Sequence, residues 1–254
     1  MSLKNKTILV TGAAGLLGKK TVKMLLAEQA KVIATDINED VFKQQFSAIF
    51  NDNAQSQLSF KTLDLLNERQ VKVFFSQMDS VDGAVNCSYP RNKFYGAHFL
   101  DVTLENFNDN VGQSLGASFL LTQQCAAYFK RMNKPFSLVN ISSIYGVVAP
   151  DFSIYQGTEM TMPIEYAAIK SALLHLNKYA VNYINNSLFR VNSVSPGGLF
   201  DHQPEAFLAA YKDKTHGKGM LDAEQITGAI KFLLSDESQY ITGQNIVIDD
   251  GFSL

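Results

Sequence analysis

The chain has few of the residues from which disulfide frameworks and metal centres are built. Cys87 and Cys125 are its only cysteines, far apart and without metal-ligand spacing. They read as reduced core thiols of a cytoplasmic protein, not as a disulfide or a zinc site. The four histidines, His98, His175, His202 and His216, show no His-x-x-x-His or comparable arrangement, which gives metal catalysis little support. Charge is sparse as well: 18% of residues are charged and the formal net charge is -2. Without a basic stripe, neither nucleic acid nor an anionic membrane is an expected partner. No apolar run is long enough to cross a bilayer. Residues 1–7 run straight into an apolar strand with no secretory h-region, so a cytoplasmic location is expected. No repeat, low-complexity tract or linker divides the 254 residues, which suit one domain with a substantial core.

What the chain does have is alternation. Short β-rich runs alternate with amphipathic helical stretches, the signature of a parallel sheet covered on both faces. Strands are expected at Lys6–Thr11, Lys31–Asp36, Leu58–Asp64, Gly83–Asn86, Ser137–Ser142, Arg190–Ser195 and Gln244–Asp249. Helices are expected over Gly15–Glu28, over Leu104–Met132 with a break near Phe107, from Ile164 to Tyr179, and over Ala223–Leu234. Right-handed crossovers assemble these into an α/β, doubly wound Rossmann fold with a mainly parallel, seven-stranded sheet. Stretches 147–165 and 198–221 are long for plain connections and are expected to be functional loops near the substrate.

The first strand leads into Thr11-Gly-Ala-Ala-Gly-Leu-Leu-Gly18 and then a helix. Glycines there permit a tight turn and close approach of a pyrophosphate, whose charge the free N–H groups of the helix stabilise. Asp36 closes the second strand about 20 residues beyond, where a carboxylate binds both ribose hydroxyls. It would repel a 2′-phosphate, and Ile37 and Asn38 offer no arginine, so NAD is expected over NADP.

Tyr166-Ala-Ala-Ile-Lys170 puts a phenol and an ammonium four residues apart in a segment of good helix formers, hence on one helical face. A neighbouring cation is expected to pull the phenol pKa down toward the range of general acid/base work. A second Tyr-x-x-x-Lys, Tyr89-Pro-Arg-Asn-Lys93, contains Pro90, which opposes a shared helical face.

In order along the chain, Thr11–Gly18, Asp36, Asp64-Leu65, Asn86, Asn140-Ile-Ser-Ser143, Tyr166/Lys170, Pro196-Gly197 and Ile241-Thr-Gly243 resemble the short-chain dehydrogenase/reductase family over essentially the whole length. The resemblance implies an NAD site lined by Gly12, Gly15, Leu16, Leu17, Gly18, Asp36, Ile37, Asp64, Leu65, Asn86 and Cys87. It further implies that Pro196, Gly197 and Leu199 pass near the nicotinamide. In the family the tyrosine exchanges a proton with the substrate hydroxyl while hydride moves to or from the nicotinamide. The lysine binds the nicotinamide ribose and lowers the tyrosine pKa, and a serine hydrogen-bonds the substrate oxygen. These roles fall to Tyr166, Lys170 and Ser143, with Ser142 left to cap or pack the strand end. A homodimer or homotetramer acting on a small-molecule substrate is also implied.

Three departures qualify the resemblance. The glycine spacing is that of the family's extended branch, which includes sugar-nucleotide epimerases and dehydratases, with Leu16 at a position where classical members carry glycine. Ser114 stands where classical members have an asparagine that holds a relay water. Ser143 and Tyr166 lie further apart than usual, the insertion bringing in Asp151, Tyr155, Glu159, Met160 and Met162. Its Met-Thr-Met-Pro-x-Glu-Tyr ending is similar to that of bacterial oxidoreductases of flagellin or surface-sugar modification. Aromatic and polar groups there suit a polyhydroxylated or nucleotide-linked ligand, while packing at a subunit interface stays open. The reading is an NAD(H)-dependent oxidoreductase interconverting a secondary alcohol and a carbonyl. Its alternatives are an epimerase or dehydratase with tightly held NAD, and a non-catalytic NAD-binding sensor.

Overall fold

The structure, a computed structural model, describes residues 2–47 and 57–254. Seven parallel strands form one sheet in the order β3-β2-β1-β4-β5-β6-β7. They are β1 (Thr7–Thr11), β2 (Lys31–Asp36), β3 (Leu58–Thr62), β4 (Gly83–Asn86), β5 (Phe136–Ile141), β6 (Phe189–Pro196) and β7 (Asn245–Ile248). Strand order reverses between β1 and β4, and in open α/β sheets such a switch point opens a crevice at the carboxyl ends of the strands. That crevice positions the site.

Among the described residues the helices are α1 (Leu16–Ala27), α2 (Glu39–Gln45), α3 (Glu68–Ser76), α4 (Leu104–Met132), α5 (Ile164–Ile184), α6 (Glu205–Lys212) and α7 (Thr227–Leu234). One face of the sheet buries Val22 and Leu25 of α1 with Ile230 and Leu233 of α7. The other buries Val71 and Phe75 of α3 with Leu121 and Cys125 of α4. Cys125 is fully buried, a core thiol. No described helix is long and apolar enough to cross a membrane.

Several expectations need correction. The break near Phe107 is absent: α4 runs unbroken from its Thr103 cap, whose side chain accepts from the Asn106 N–H at 3.2 Å, to Asn133 in the left-handed region at φ 48. No proline interrupts it, and Gly112 and Gly116 are tolerated inside so long a helix. The expected Ala223–Leu234 helix is a 3-10 turn over Ala223–Ile226 followed by α7. β3 stops at Thr62, short of Asp64. Helices α2 and α3 were not anticipated, although each starts at an asparagine side chain accepting a backbone N–H, Asn38 from Val41 and Asn67 from Gln70. The two patternless stretches are in part helical: 147–165 contains a 3-10 turn at Phe152–Tyr155, and 198–221 contains α6.

Candidate active site

The glycine turn is shaped by contacts that only glycine permits. Gly12 has φ +65, and a Cβ there would lie 2.8 Å from the backbone of Cys87. A Cβ at Gly18 would lie 2.0 Å from the Gly12 carbonyl oxygen, so this glycine lets α1 pack directly on the turn. Gly15 precedes α1 as its cap residue, and Leu16 is the first helical residue, so the unpaired N–H groups of the first turn lie beside the cleft. Asp36 holds the turn from β2: its carboxylate accepts the Ala14 N–H at 3.0 Å and the Asn38 N–H at 3.1 Å.

This turn borders a cavity of about 660 Å³. Gly12, Gly15, Leu16 and Leu17 line it together with Asp36 and the exposed Ile37. Asp64, Leu65 and Cys87 line it from the ends of β3 and β4, and Pro196, Gly197 and Leu199 from the end of β6. The cradle therefore suits a dinucleotide, with backbone N–H donors for a pyrophosphate and a carboxylate for a ribose. Burial pushes the Cys87 thiol up to about 12, so it contributes shape, not reactivity.

Three expected residues lie outside the lining. Gly18 acts through packing. Asn86 is 3% exposed and belongs to a polar seam: its amide accepts from Thr11 Oγ1 at 3.1 Å and donates to Asn140 Oδ1 at 3.0 Å. Asn140 then donates to Asn177 on α5 at 2.8 Å, and Asn177 to Ser193 on β6 at 2.6 Å. Ser114 is buried within α4.

At the other end of the cavity stand Ser143, Tyr166 and Lys170. Ser143 follows β5 and caps the 3-10 turn Ile144–Gly146, accepting the Tyr145 N–H at 3.2 Å. A Cβ at Gly146 would lie 2.7 Å from the Lys170 backbone, so this glycine lets the turn press against α5 and bring Ser143 to Tyr166. Ser142 donates to the Lys170 carbonyl at 2.8 Å and fixes α5 on β5. The two neighbouring serines thus divide their work: one braces the helix and the other faces the phenol.

The electrostatics differ from the expected depression of the tyrosine pKa. Burial raises the Tyr166 phenol above its ordinary value, with the Ser143 hydrogen bond opposing. Burial pulls the Lys170 ammonium down to about 8. Lys170 Nζ donates to the Ile141 carbonyl at 2.8 Å and lies 5.4 Å from the Tyr166 ring centroid. Desolvation dominates both shifts.

The sequence reading missed an aromatic wall. Tyr89, kept by Pro90 from sharing a helical face with Lys93, packs edge-on to Tyr166 at 5.3 Å between centroids, and its ring lies 4.8 Å from Lys170 Nζ. Its hydroxyl lies near that of Tyr95 without meeting a partner at hydrogen-bond geometry. Tyr145 and Tyr155 bring their hydroxyls to 3.4 Å, and Tyr211 Oη accepts the Gly198 N–H at 2.6 Å. Of the insertion, Tyr155, Met160 and Met162 line the cavity, whereas Asp151 pairs with Lys214 at 2.9 Å and Glu159 is exposed. Ile154 and Tyr155 pack on Phe207 and Tyr211 of α6, which joins the two long stretches into one wall. Glu165, beside Tyr166, is fully buried and accepts from Asn110 of α4 at 3.3 Å. Tyr155, Met160 and Met162 belong to the insertion expected beside the substrate; no spacing rule marks the others, and proximity to the motif tyrosine was the one available signal, for Glu165 alone.

Comparison with known proteins bears on the family. A family model described as enoyl-(acyl carrier protein) reductase matches residues 12–253. The chain is 36% identical over 257 residues to post-translational flagellin modification protein A of Campylobacter coli, covering 99% of this chain and 100% of that protein. It is 28% identical over 267 residues to a 2,5-dichloro-2,5-cyclohexadiene-1,4-diol dehydrogenase of Sphingobium indicum, covering 99% and 98%. A short-chain dehydrogenase of Leptospira borgpetersenii, solved with bound NAD+, superposes with a TM-score of 0.85 at 31% identity, covering 100% of this chain and 94% of that one. With its glycine turn, its serine, tyrosine and lysine on one cleft, and these full-length relatives, the chain belongs to the short-chain dehydrogenase/reductase family.

Proposed function

We propose that the chain is an NAD(H)-dependent oxidoreductase interconverting a secondary alcohol and a carbonyl on a polyhydroxylated substrate, a sugar or nucleotide-sugar. The observation that carries this reading is one continuous cavity with Ser143, Tyr166 and Lys170 at one end and the glycine turn with Asp36 at the other. The NAD+ bound to the Leptospira relative supports the choice of cofactor. Gly12, Leu16 and Leu17 would hold the pyrophosphate, and Asp36 the adenosine ribose. When bound, NAD supplies the hydride acceptor or donor.

The chain's own groups manage the proton. Ser143 Oγ and Tyr166 Oη hold the substrate oxygen between them. In reduction, Tyr166 Oη donates its proton to the carbonyl oxygen as that oxygen becomes a hydroxyl. In oxidation, the phenolate takes the hydroxyl proton, and the Lys170 charge favours the phenolate. Tyr95 and Tyr155, raised by burial to about 12, stay protonated and offer hydroxyl donors and acceptors. Met162 and Met220 supply apolar walls for carbon faces.

A sugar or nucleotide-sugar is supported by this hydroxyl-rich lining and by the similarity to the flagellin-modification protein. A cytoplasmic location is proposed, and a homodimer or homotetramer, the latter supported by the exposed Phe119 of α4 and the stacked, exposed Tyr179 and Tyr183 of α5. A monomeric mass in solution would sink that part. The function is tested by incubating purified protein with NAD+ or NADH and a panel of sugars, polyols and nucleotide-sugars. Stoichiometric change in NADH is expected. Substrate conversion with no net NADH would assign an epimerase or dehydratase instead, and NADH binding without turnover of any kind would assign a sensor.

A further inference from the structure

The loop after β4 places a guanidinium at the cavity without giving it a counterion. Arg91 lines the cavity, and its Cζ lies 5.5 Å from the Tyr95 ring centroid and 6.0 Å from that of Tyr89. Tyr89 in turn packs on Tyr166, so two aromatic contacts link the guanidinium to the reacting phenol. Among the described residues, none of the ion pairs includes Arg91.

The loop that carries it is held in place. Asn92 donates its N–H to Asn110 Oδ1 at 3.0 Å and its amide to Asp109 at 2.6 Å, and it accepts the Phe94 N–H at 2.9 Å. Asn110 is braced by Glu165. Glu165 is fully buried and lies outside the lining.

The charge pattern of the lining is one-sided. Its carboxylates, Asp36 and Asp64, stand at the ends of β2 and β3, on the cofactor side. The segments around the tyrosines contribute neutral groups: Tyr155, Met160, Met162, Gln203, Phe207 and Met220. Lys170, the other lining cation, is engaged by the Ile141 carbonyl. A guanidinium seated on aromatic rings keeps its N–H fork for an oxyanion, which it binds in bidentate fashion.

We infer that Arg91 is the anchor for an anionic group of the substrate, a carboxylate or a phosphate set a few bonds from the reacting carbon. This inference rests on the oxidoreductase reading and narrows its substrate class to acidic or phosphorylated sugars.

The test is calorimetric titration of the NADH-saturated protein with three probes: glucitol, glucitol 6-phosphate and gluconate. Wild type is expected to bind one of the two anions roughly 10–100-fold more tightly than glucitol, the range of a charge-assisted contact; whichever anion gains identifies the group. Arg91→Ala and the bulkier Arg91→Gln should bring the anion-to-neutral ratio close to one, and Arg91→Lys should recover part of it. Equal binding of all three probes by wild type, or an unchanged ratio in both variants, overturns the inference. So does an equal loss of NADH affinity in the variants, which would make Arg91 a cofactor contact. Failure of wild type to bind NADH would instead overturn the oxidoreductase reading itself, so the two failures are distinguishable.

Discussion

The two ends of the cavity are built by opposite means. The glycine-turn end is mostly backbone, a turn in which Gly12 and Gly18 admit no Cβ and the N-terminus of α1, with Asp36 as its acidic side chain. The end around Tyr166 is side chains: Tyr89 and Arg91 after β4, Tyr155 and Met162 from the insertion, and Tyr211 from α6. Backbone sites need particular residues at fixed local spacing, so they leave a motif. Side-chain walls assembled from distant segments need only the right chemistry at the right place in space, and they leave none.

The contrast can be broken or sharpened by substitution. Tyr166→Phe should give the largest effect, a loss of turnover on the order of 10²–10⁴-fold or more, the usual range for a general acid/base. NADH affinity, read by fluorescence titration, should change little, because the glycine-turn end does not depend on the phenol. Retention of most of the turnover would remove Tyr166 from the chemistry. The raised Tyr166 pKa adds a directional test: reduction should stay level through neutral pH, whereas oxidation should climb about tenfold per pH unit on the acid side of its apparent pKa. Equal profiles in both directions would contradict a protonated resting phenol.

Gly12→Ala attacks the other end. A side chain at φ +65 costs about 1–3 kcal/mol of strain, to which the contact with Cys87 adds. NADH binding and thermal stability should both fall, and unchanged binding would mean that the turn does not carry the cofactor. Asp36→Ala should narrow the preference for NAD over NADP, by roughly 10–100-fold if one charge-assisted contact is lost and one repulsion removed. Comparative kinetics with both cofactors read this, and a wild-type preference for NADP would contradict the assignment.

The smallest effect concerns stability. Lys170 titrates at about 8 in the folded chain against an ordinary 10.5. The unfolded chain therefore binds more protons between those values, and folding stability should rise with pH across that window. Relative to Lys170→Met, which has no such group, wild type should gain about 2–4 kcal/mol between pH 8 and 10.5 in denaturant titrations. A constant gap would show that Lys170 is not desolvated.

Much of the fold was legible. All seven strands fall where apolar, β-rich runs predict them, because buried parallel strands write themselves as continuous runs. α1, α4 and α5 were legible through length and period. The short α2, α3 and α6 were not, since seven to nine residues hold too few turns for a period to show. The site divided the same way. Asp36 and Lys170 follow from spacing, whereas the lysine's effect on Tyr166 was misjudged because burial depth is absent from a sequence. Tyr89 is not legible from helical spacing, since a residue need not share a helix with Lys170 to lie against it.

The seam from Thr11 through Asn86, Asn140 and Asn177 to Ser193 has a consequence for how such a protein can change over time. It ties β1, β4, β5 and β6 to α5 by paired side-chain amides and hydroxyls, none of which reaches into the substrate wall. The helix that carries Tyr166 and Lys170 is thereby fixed to the sheet by a seam that the side-chain wall around Tyr155 and Met162 does not share. Substitutions in the side-chain wall, such as at Tyr155 or Met162, are expected to leave that seam in place. New substrates can then be acquired without rebuilding the reaction.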